Sequence, residues 1–244
     1  NAALAAVALI ALHEIYSAFS LKCPAVYAGL VPITLLIFLY GENAVHRHLF
    51  WAALYATVLF LAACTVLFFH ALDYAKLAGT AVFFAVVLAC FYSMLHLRAC
   101  FPRPSDAVYF ILLGLGFAWG GDTCAYFAGR AFGRHKLAPI VSPHKTVEGA
   151  VGGLAGGVLG MIVFRIVFFF VTVEPLSIGW CMVIGLVGAF MGQLGDLSFS
   201  IIKRQFGIKD YGRLLPGHGG VLDRFDSVIF AAPVVWMIAS AVGM

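Results

Sequence analysis

The run LSIGWCMVIGLVGAFMGQLGDLSF, residues 176–199, holds 24 residues and a single charged side chain, Asp196. A bilayer core about 30 Å thick is crossed by roughly 20 consecutive apolar residues in a helix. The run therefore predicts a membrane span that ends beside a carboxylate. Seven further apolar runs occur, at 2–19, 24–40, 48–70, 77–97, 107–128, 147–171 and about 219–243. Over the whole chain 63% of residues are apolar and 11% charged, against about 25% charged in soluble domains. A soluble fold of this size leaves roughly a quarter to a third of its unfolded surface wet, more than these polar residues can cover. The expected fold class is all-α: a polytopic integral membrane protein with about eight transmembrane helices. The chain opens at Asn1 without a methionine, which leaves room for one more helix at the N-terminus. The first run lacks a basic n-region and a cleavage site, so it reads as a membrane helix and not a signal peptide.

Loop chemistry gives an orientation. Arg130, Arg134, Lys136 and Lys145 lie between the fifth and sixth runs, and Lys203, Arg204, Lys209 and Arg213 between the seventh and eighth. The loop between the sixth and seventh carries only Glu174. The positive-inside rule places both basic loops in the cytoplasm. A net charge of +4, spread this way, does not point to nucleic acid, which calls for a concentrated basic stripe. The six cysteines form no C-x-x-C pair, and most sit in apolar runs, where a thiol acts as a small hydrophobe. Gly149, Gly152, Gly153, Gly156, Gly157 and Gly160 repeat at helical spacing, a pattern that lets a neighbouring membrane helix approach closely.

The charge is concentrated. Of 26 acidic and basic residues, 17 lie from Asp122 to Asp226 and nine from Asp196 to Asp226, with none after it. Charge at membrane depth is costly unless paired, hydrated or ion-bound, so such a concentration marks function. Asp196, Ser200, Lys203 and Arg204, at offsets of four, seven and eight, share one helical stripe. Lys209-Asp210 follows, and then LLPGHGGVLDRFD at 214–226. Gly219 and Gly220 allow backbone amides close to a ligand. Asp223 and Asp226, three apart, suit Mg²⁺, a hard cation that prefers oxygen and keeps positions for substrate phosphates. The competing reading is a set of buried ion pairs with Arg224, Lys203 or Lys209. A second cluster holds Asp122, followed by Tyr126, Gly129 and Arg130, and the segment SPHKTVEG at 142–149. Ser142, Lys145 and Thr146 can donate to phosphate oxygens. Thr146 and Glu148 also suit the start of a helix. His218 lies between glycines in the first cluster, whereas His144 is open to either reading. No H-E-x-x-H, G-x-S-x-G or P-loop lysine motif appears. Glu14, alone in the first run, is expected to face the bundle interior, and its role is open.

The segment Ser200-x-Ile202-Lys203-Arg204-x4-Lys209-Asp210-x-Gly212-x2-Leu215-Pro216-x-His218-Gly219-Gly220-Val221-x-Asp223-Arg224-Phe225-Asp226 resembles the signature of the phosphatidate cytidylyltransferases, or CDP-diacylglycerol synthases. The segments around Asp122–Arg130 and Ser142–Gly149 are similar to the same family. The resemblance covers about half the chain by motif. It implies transfer of CMP from CTP to phosphatidic acid, giving CDP-diacylglycerol and pyrophosphate, with Mg²⁺ as cofactor and a monovalent cation such as K⁺ as a second candidate ion. It implies a homodimer, and Asp196, Asp223 and Asp226 as metal ligands. Lys203, Arg204, Lys209, Asp210, His218 and Arg224 are then the candidate catalytic residues. Asp122, Ser142, Lys145, Thr146, Ser200, Gly219 and Gly220 are the candidate substrate contacts. Residues 1–105 are expected to form N-terminal transmembrane helices and 106–244 the transmembrane catalytic region. A bacterial inner membrane, with the active site facing the cytoplasm, is the expected location. An anion transporter could also hold such charges, but it predicts inverted repeats, and the first half has no counterpart to the cluster.

Overall fold

The computed structural model describes residues 2–21, 23–40, 47–68, 70, 73–99, 104–169, 177–212, 214 and 219–241. Among the described residues eight helices follow in order: α1 (Ala2–Ala18), α2 (Pro24–Tyr40), α3 (Arg47–Leu67), α4 (Tyr74–Ala99), α5 (Pro104–Phe132), α6 (Val147–Phe168), α7 (Ile178–Gln205) and α8 (Leu222–Ala241). An antiparallel hairpin, β1 (Lys136–Ala138) and β2 (Ser142–Thr146), lies between α5 and α6. The all-α class holds, with this hairpin as an addition that the apolar pattern did not announce.

Among the described residues three helical stretches are long and apolar enough to cross a membrane: Tyr74–His96 within α4, all of α6 and all of α7. Ala2–Ala18, Pro24–Leu39 and Tyr55–Leu67 are apolar but shorter. Asp122 and Arg130 interrupt the apolar character of α5, and Asp223, Arg224 and Asp226 that of α8. The outer faces show which solvent suits the fold. Met182, Leu186, Phe190 and Leu194 recur every four residues along α7 and are all exposed, as are Leu159, Val163 and Val167 on α6. In water each exposed apolar Å² would forgo about 25 cal/mol, a penalty that lipid removes.

The chain clusters into two compact units, Asn1–Leu95 with Gln205–Arg224, and His96–Arg204 with Phe225–Met244. In the first, α1 buries Ala5, Ala8, Ala11, Leu12, Ile15 and Ala18, and also Glu14. The segment after α7 is held there by aromatic rings, with Phe206 4.2 Å from Phe19 and Tyr211 5.7 Å from Phe83 between centroids. Gly207, at φ +67°, takes the left-handed conformation that lets the chain turn after α7.

In the second unit the glycine run does the packing expected of it. A Cβ at Gly120 of α5 would lie 2.6 Å from the Gly156 carbonyl oxygen and 3.0 Å from Gly160 Cα. On the other side of α6, a Cβ at Gly157 would lie 2.6 Å from the Gly185 oxygen of α7. Gly195 of α7 faces the Asp226 carbonyl and the Phe230 ring of α8 in the same way. Helix backbones meet where side chains are missing, and α7 is thereby clasped between α6 and α8.

Candidate active site

Thr146 ends β2 and caps α6. Its backbone is extended (φ −122°, ψ 155°), and its hydroxyl oxygen accepts from the Gly149 amide at 3.1 Å, which satisfies one of the amides a helix start leaves open. Glu148, in the first turn of α6, accepts from the Arg134 and His135 amides at 3.1 and 3.2 Å and meets His135 Nδ1 at 2.6 Å. The Val147 amide returns a bond to the His135 carbonyl at 2.9 Å. Lys136 Nζ donates to the Pro143 carbonyl at 2.7 Å. These bonds fix the hairpin to the top of α6, and they give Lys145 its place.

Lys145 points into a cavity of about 510 Å³ lined by Asp122, Tyr126, Arg130, His144, Gln193 and Asp196, with apolar residues between them. Its ammonium is ion-paired with Asp196. Both side chains are part-buried, so neither charge is fully hydrated. Ser200, one turn along α7, donates to the other Asp196 oxygen at 3.4 Å, which realises the predicted stripe. The stripe stays helical to Arg204 because α7 runs on to Gln205, beyond the expected end at 199. Arg204 Nε donates to the Val141 carbonyl at 3.4 Å, tying α7 to the hairpin. Asp196 interacts electrostatically with Asp122 and with Asp226, and Lys145 and Lys203 act on Asp226 as well. Asp226 Oδ1 accepts from the Ser227 amide at 2.7 Å and from its hydroxyl at 3.3 Å.

Asp223 belongs to the first unit. Its Oδ2 accepts from the Tyr211 amide at 2.8 Å and the Gly220 amide at 3.0 Å. Gly219 is at φ +83°, which only glycine adopts without strain. A Cβ there would sit 3.2 Å from Asp223 Oδ2 and 3.6 Å from Asp210 Oδ1. Gly220 thus gives its amide to Asp223. Thr146 lines the cavity but uses its oxygen as a cap. Ser142 starts β2 opposite Ala138 and is not among the residues lining the cavity. Lys209 and Asp210 are exposed, Arg224 is exposed in the first turn of α8, and His218 lies outside the described residues.

Two residues went unassigned in the sequence. Gln193 lines the cavity and donates to the Ala150 carbonyl at 3.0 Å; its place three residues before Asp196, on the same stripe, was the available signal. Glu14 is 4% exposed and accepts from the Val221 and Leu222 amides, each at 2.8 Å. No local signal announces that contact, because 207 and 208 residues separate the partners.

The carboxylate set fits a hard cation in kind. Among the described residues no group of three or more His, Cys, Asp or Glu side chains could hold a metal ion unaided. A Mg²⁺ bound here would take its remaining ligands from substrate phosphates and water, the usual arrangement in phosphate-transfer sites.

A family model described as "Cytidylyltransferase family" matches residues 1–242. A protein of Staphylococcus aureus (strain COL) named phosphatidate cytidylyltransferase is 34% identical over 232 residues, 93% of this chain and 85% of that protein. Proteins of the same name from Staphylococcus haemolyticus and Staphylococcus saprophyticus are each 42% identical over 135 residues, 55% of this chain. Those two alignments span about half the length of the relatives, 50% in each case.

Proposed function

The chain belongs to the cytidylyltransferase family, and on that premise we propose that it transfers CMP from CTP to phosphatidic acid, giving CDP-diacylglycerol and pyrophosphate. The observation that carries the reading is the Lys145–Asp196 pair with Asp122 in one cavity lined by polar and apolar residues. Its volume, about 510 Å³, lies within the usual range of roughly 300–1,000 Å³ for small-molecule sites.

In this reaction an oxygen of the phosphatidate phosphate attacks the α-phosphorus of CTP. The new P–O bond forms as the bond from the α-phosphorus to the bridging oxygen breaks, and pyrophosphate leaves with the electron pair. A phosphate monoester is already largely ionised near neutral pH, so no protein nucleophile is needed. The protein aligns two anions and offsets their repulsion. Lys145 neutralises Asp196 in the absence of substrate and turns to the triphosphate when it enters. Arg130 and His144 line the same cavity and are placed for phosphate oxygens. Lys203, Arg204 and Lys209 serve as the further cations, Asp210, His218 and Arg224 as supporting members of the motif, and Ser200 holds the Asp196 carboxylate. Asp196, Asp223 and Asp226 are the proposed Mg²⁺ ligands. The ion would screen the phosphates and stabilise charge developing on the leaving pyrophosphate.

The proposed setting is a bacterial inner membrane crossed by eight helices, with a homodimeric protein whose catalytic region, 106–244, opens to the cytoplasm. The apolar outer faces of α6 and α7 and the basic loops support this. The test is turnover by purified protein in detergent with labelled CTP, phosphatidic acid and Mg²⁺, beside Asp223→Asn. Lipid-linked CMP and pyrophosphate should form, and should vanish with EDTA and in the variant. Normal turnover by Asp223→Asn would sink the assignment of that residue. Product with an ether lipid or a polyprenol phosphate, but not with phosphatidate, would keep the chemistry and change the acceptor.

A further inference from the structure

We infer that Glu14 is a positioning residue for Asp223, taking the backbone amides at the start of α8 so that the Asp223 carboxylate is held by Tyr211 and Gly220 instead. The inference rests on the proposed function, in which Asp223 is a Mg²⁺ ligand. Two carboxylates and five backbone positions make the arrangement. Glu14 Oε1 accepts from Val221 and Oε2 from Leu222, both at 2.8 Å. Asp223 Oδ2 accepts from Tyr211 at 2.8 Å and Gly220 at 3.0 Å. Gly212 and Gly220 leave the room that Glu14 fills: a Cβ at Gly220 would lie 2.6 Å from Glu14 Oε1, and one at Gly212 would also collide with the carboxylate.

The chemistry explains why a carboxylate from α1 is needed. The first amides of a helix have no partner within it. Asp223 is the second residue of α8, near enough to those amides to satisfy them itself. A helix N-terminus attracts negative charge, so without Glu14 the Asp223 carboxylate would be drawn towards its own helix. Glu14 fills both positions at once, one oxygen to each amide, and it is buried at 4% exposure, where an unmade bond is expensive. That leaves Asp223 oriented by the turn after α7, through Tyr211, and by the glycine turn, through Gly220. An acidic residue in an apolar first helix, whose neighbour in sequence with an electrostatic influence on it is His13, thereby acquires a reason to be there.

Glu14→Gln is nearly isosteric but turns an NH₂ group towards one of the two amides, so one helix-terminal bond is lost and no cavity opens. Detergent-purified wild type, Glu14→Gln and Asp223→Asn would be compared for Mn²⁺ affinity by paramagnetic resonance, with Mn²⁺ standing in for Mg²⁺. Thermal midpoint, turnover and amide hydrogen exchange over 219–224 would be measured alongside. Glu14→Gln should fold with a midpoint lowered by several degrees, exchange faster at the start of α8 and bind Mn²⁺ roughly 10-fold more weakly, the usual scale for losing an outer partner of a metal ligand. Its turnover should fall, with the half-saturating Mg²⁺ concentration raised and the KM for CTP unchanged. An unchanged Mn²⁺ affinity in Glu14→Gln would overturn the inference and leave Glu14 a purely structural cap, as would a wild type that binds no Mn²⁺. If Glu14→Gln does not fold, Glu14→Asp is measured in its place against the same outcomes. A wild type that binds Mn²⁺ but transfers no CMP overturns the proposed function alone, and the Mn²⁺ comparison still decides the role of Glu14.

Discussion

Lys145 and Asp196 stand 51 residues apart and meet as an ion pair with each side chain 29% exposed. A pair so placed contributes little to folding, since desolvation offsets most of the attraction. It is better suited to exchange, with the ammonium leaving the carboxylate when a stronger anion arrives. Replacing Lys145 by Met should therefore separate function from stability. Preorganised cations aimed at developing charge are worth about 10²–10³ in rate, and a fall of that order in CMP transfer is expected for Lys145→Met. The thermal midpoint should also fall, because Asp196 is left uncompensated near Asp122 and Asp226, but the variant should stay folded at the assay temperature. Steady-state turnover and thermal unfolding in the same detergent would measure both. A variant that loses stability and activity in proportion would mark Lys145 as a structural partner of Asp196 and not as a phosphate ligand.

At the scale of elements, the contact between α5 and α6 is made by backbone against backbone. Gly120→Ala places a methyl 2.6 Å from the Gly156 oxygen and 3.0 Å from Gly160 Cα, both main-chain atoms that cannot swing aside. Overpacking of this kind typically costs about 1–3 kcal/mol, and a lower unfolding midpoint in detergent is the expected result. Gly114→Ala, where nothing lies within 4 Å of the added methyl, is the control and should leave the midpoint nearly unchanged. Gly156 and Gly160 were legible in the sequence because the glycine run of α6 has the helix's own period; Gly120, on the facing helix, was not singled out. The helices were legible too, most of them to within a few residues, because each falls on one of the long apolar runs of the sequence. The hairpin of β1 and β2 was not. It holds eight strand residues, too few for a period, and it is set by Glu148 reaching back 13 and 14 residues to the His135 and Arg134 amides. The site divides along the same line. Asp196 and Ser200 could be paired from their spacing of four on one helix. The meeting of Glu14 with Val221 and Leu222 depends on tertiary packing alone, and a lone carboxylate in an apolar run says only that some partner exists.

For the whole molecule, the question that sequence and structure bear on together is which side of the membrane the cavity faces. Arg130, Arg134, Lys136 and Lys145 cluster around the turn between α5 and α6, and such clusters stay on the cytoplasmic side. CTP is also supplied from that side. Ile140, in the turn between β1 and β2, is 90% exposed, and no hydrogen bond of its side chain would be lost on substitution, so Ile140→Cys offers a reporter in the hairpin that also carries the cavity's Leu137, His144 and Lys145. Among the described residues Cys23, Cys64, Cys90 and Cys181 are buried and Cys124 is only partly exposed; Cys100 lies outside them, so Cys100→Ser serves as the parent and should give a low background with a membrane-impermeant maleimide. In inverted membrane vesicles Ile140→Cys should label strongly; in right-side-out vesicles it should label no more than the parent until the membrane is permeabilised. The reverse pattern would put the cavity on the outer face, away from the nucleotide pool. A nucleotidyltransferase cannot work there, so that result would count against the proposed reaction as well as the orientation.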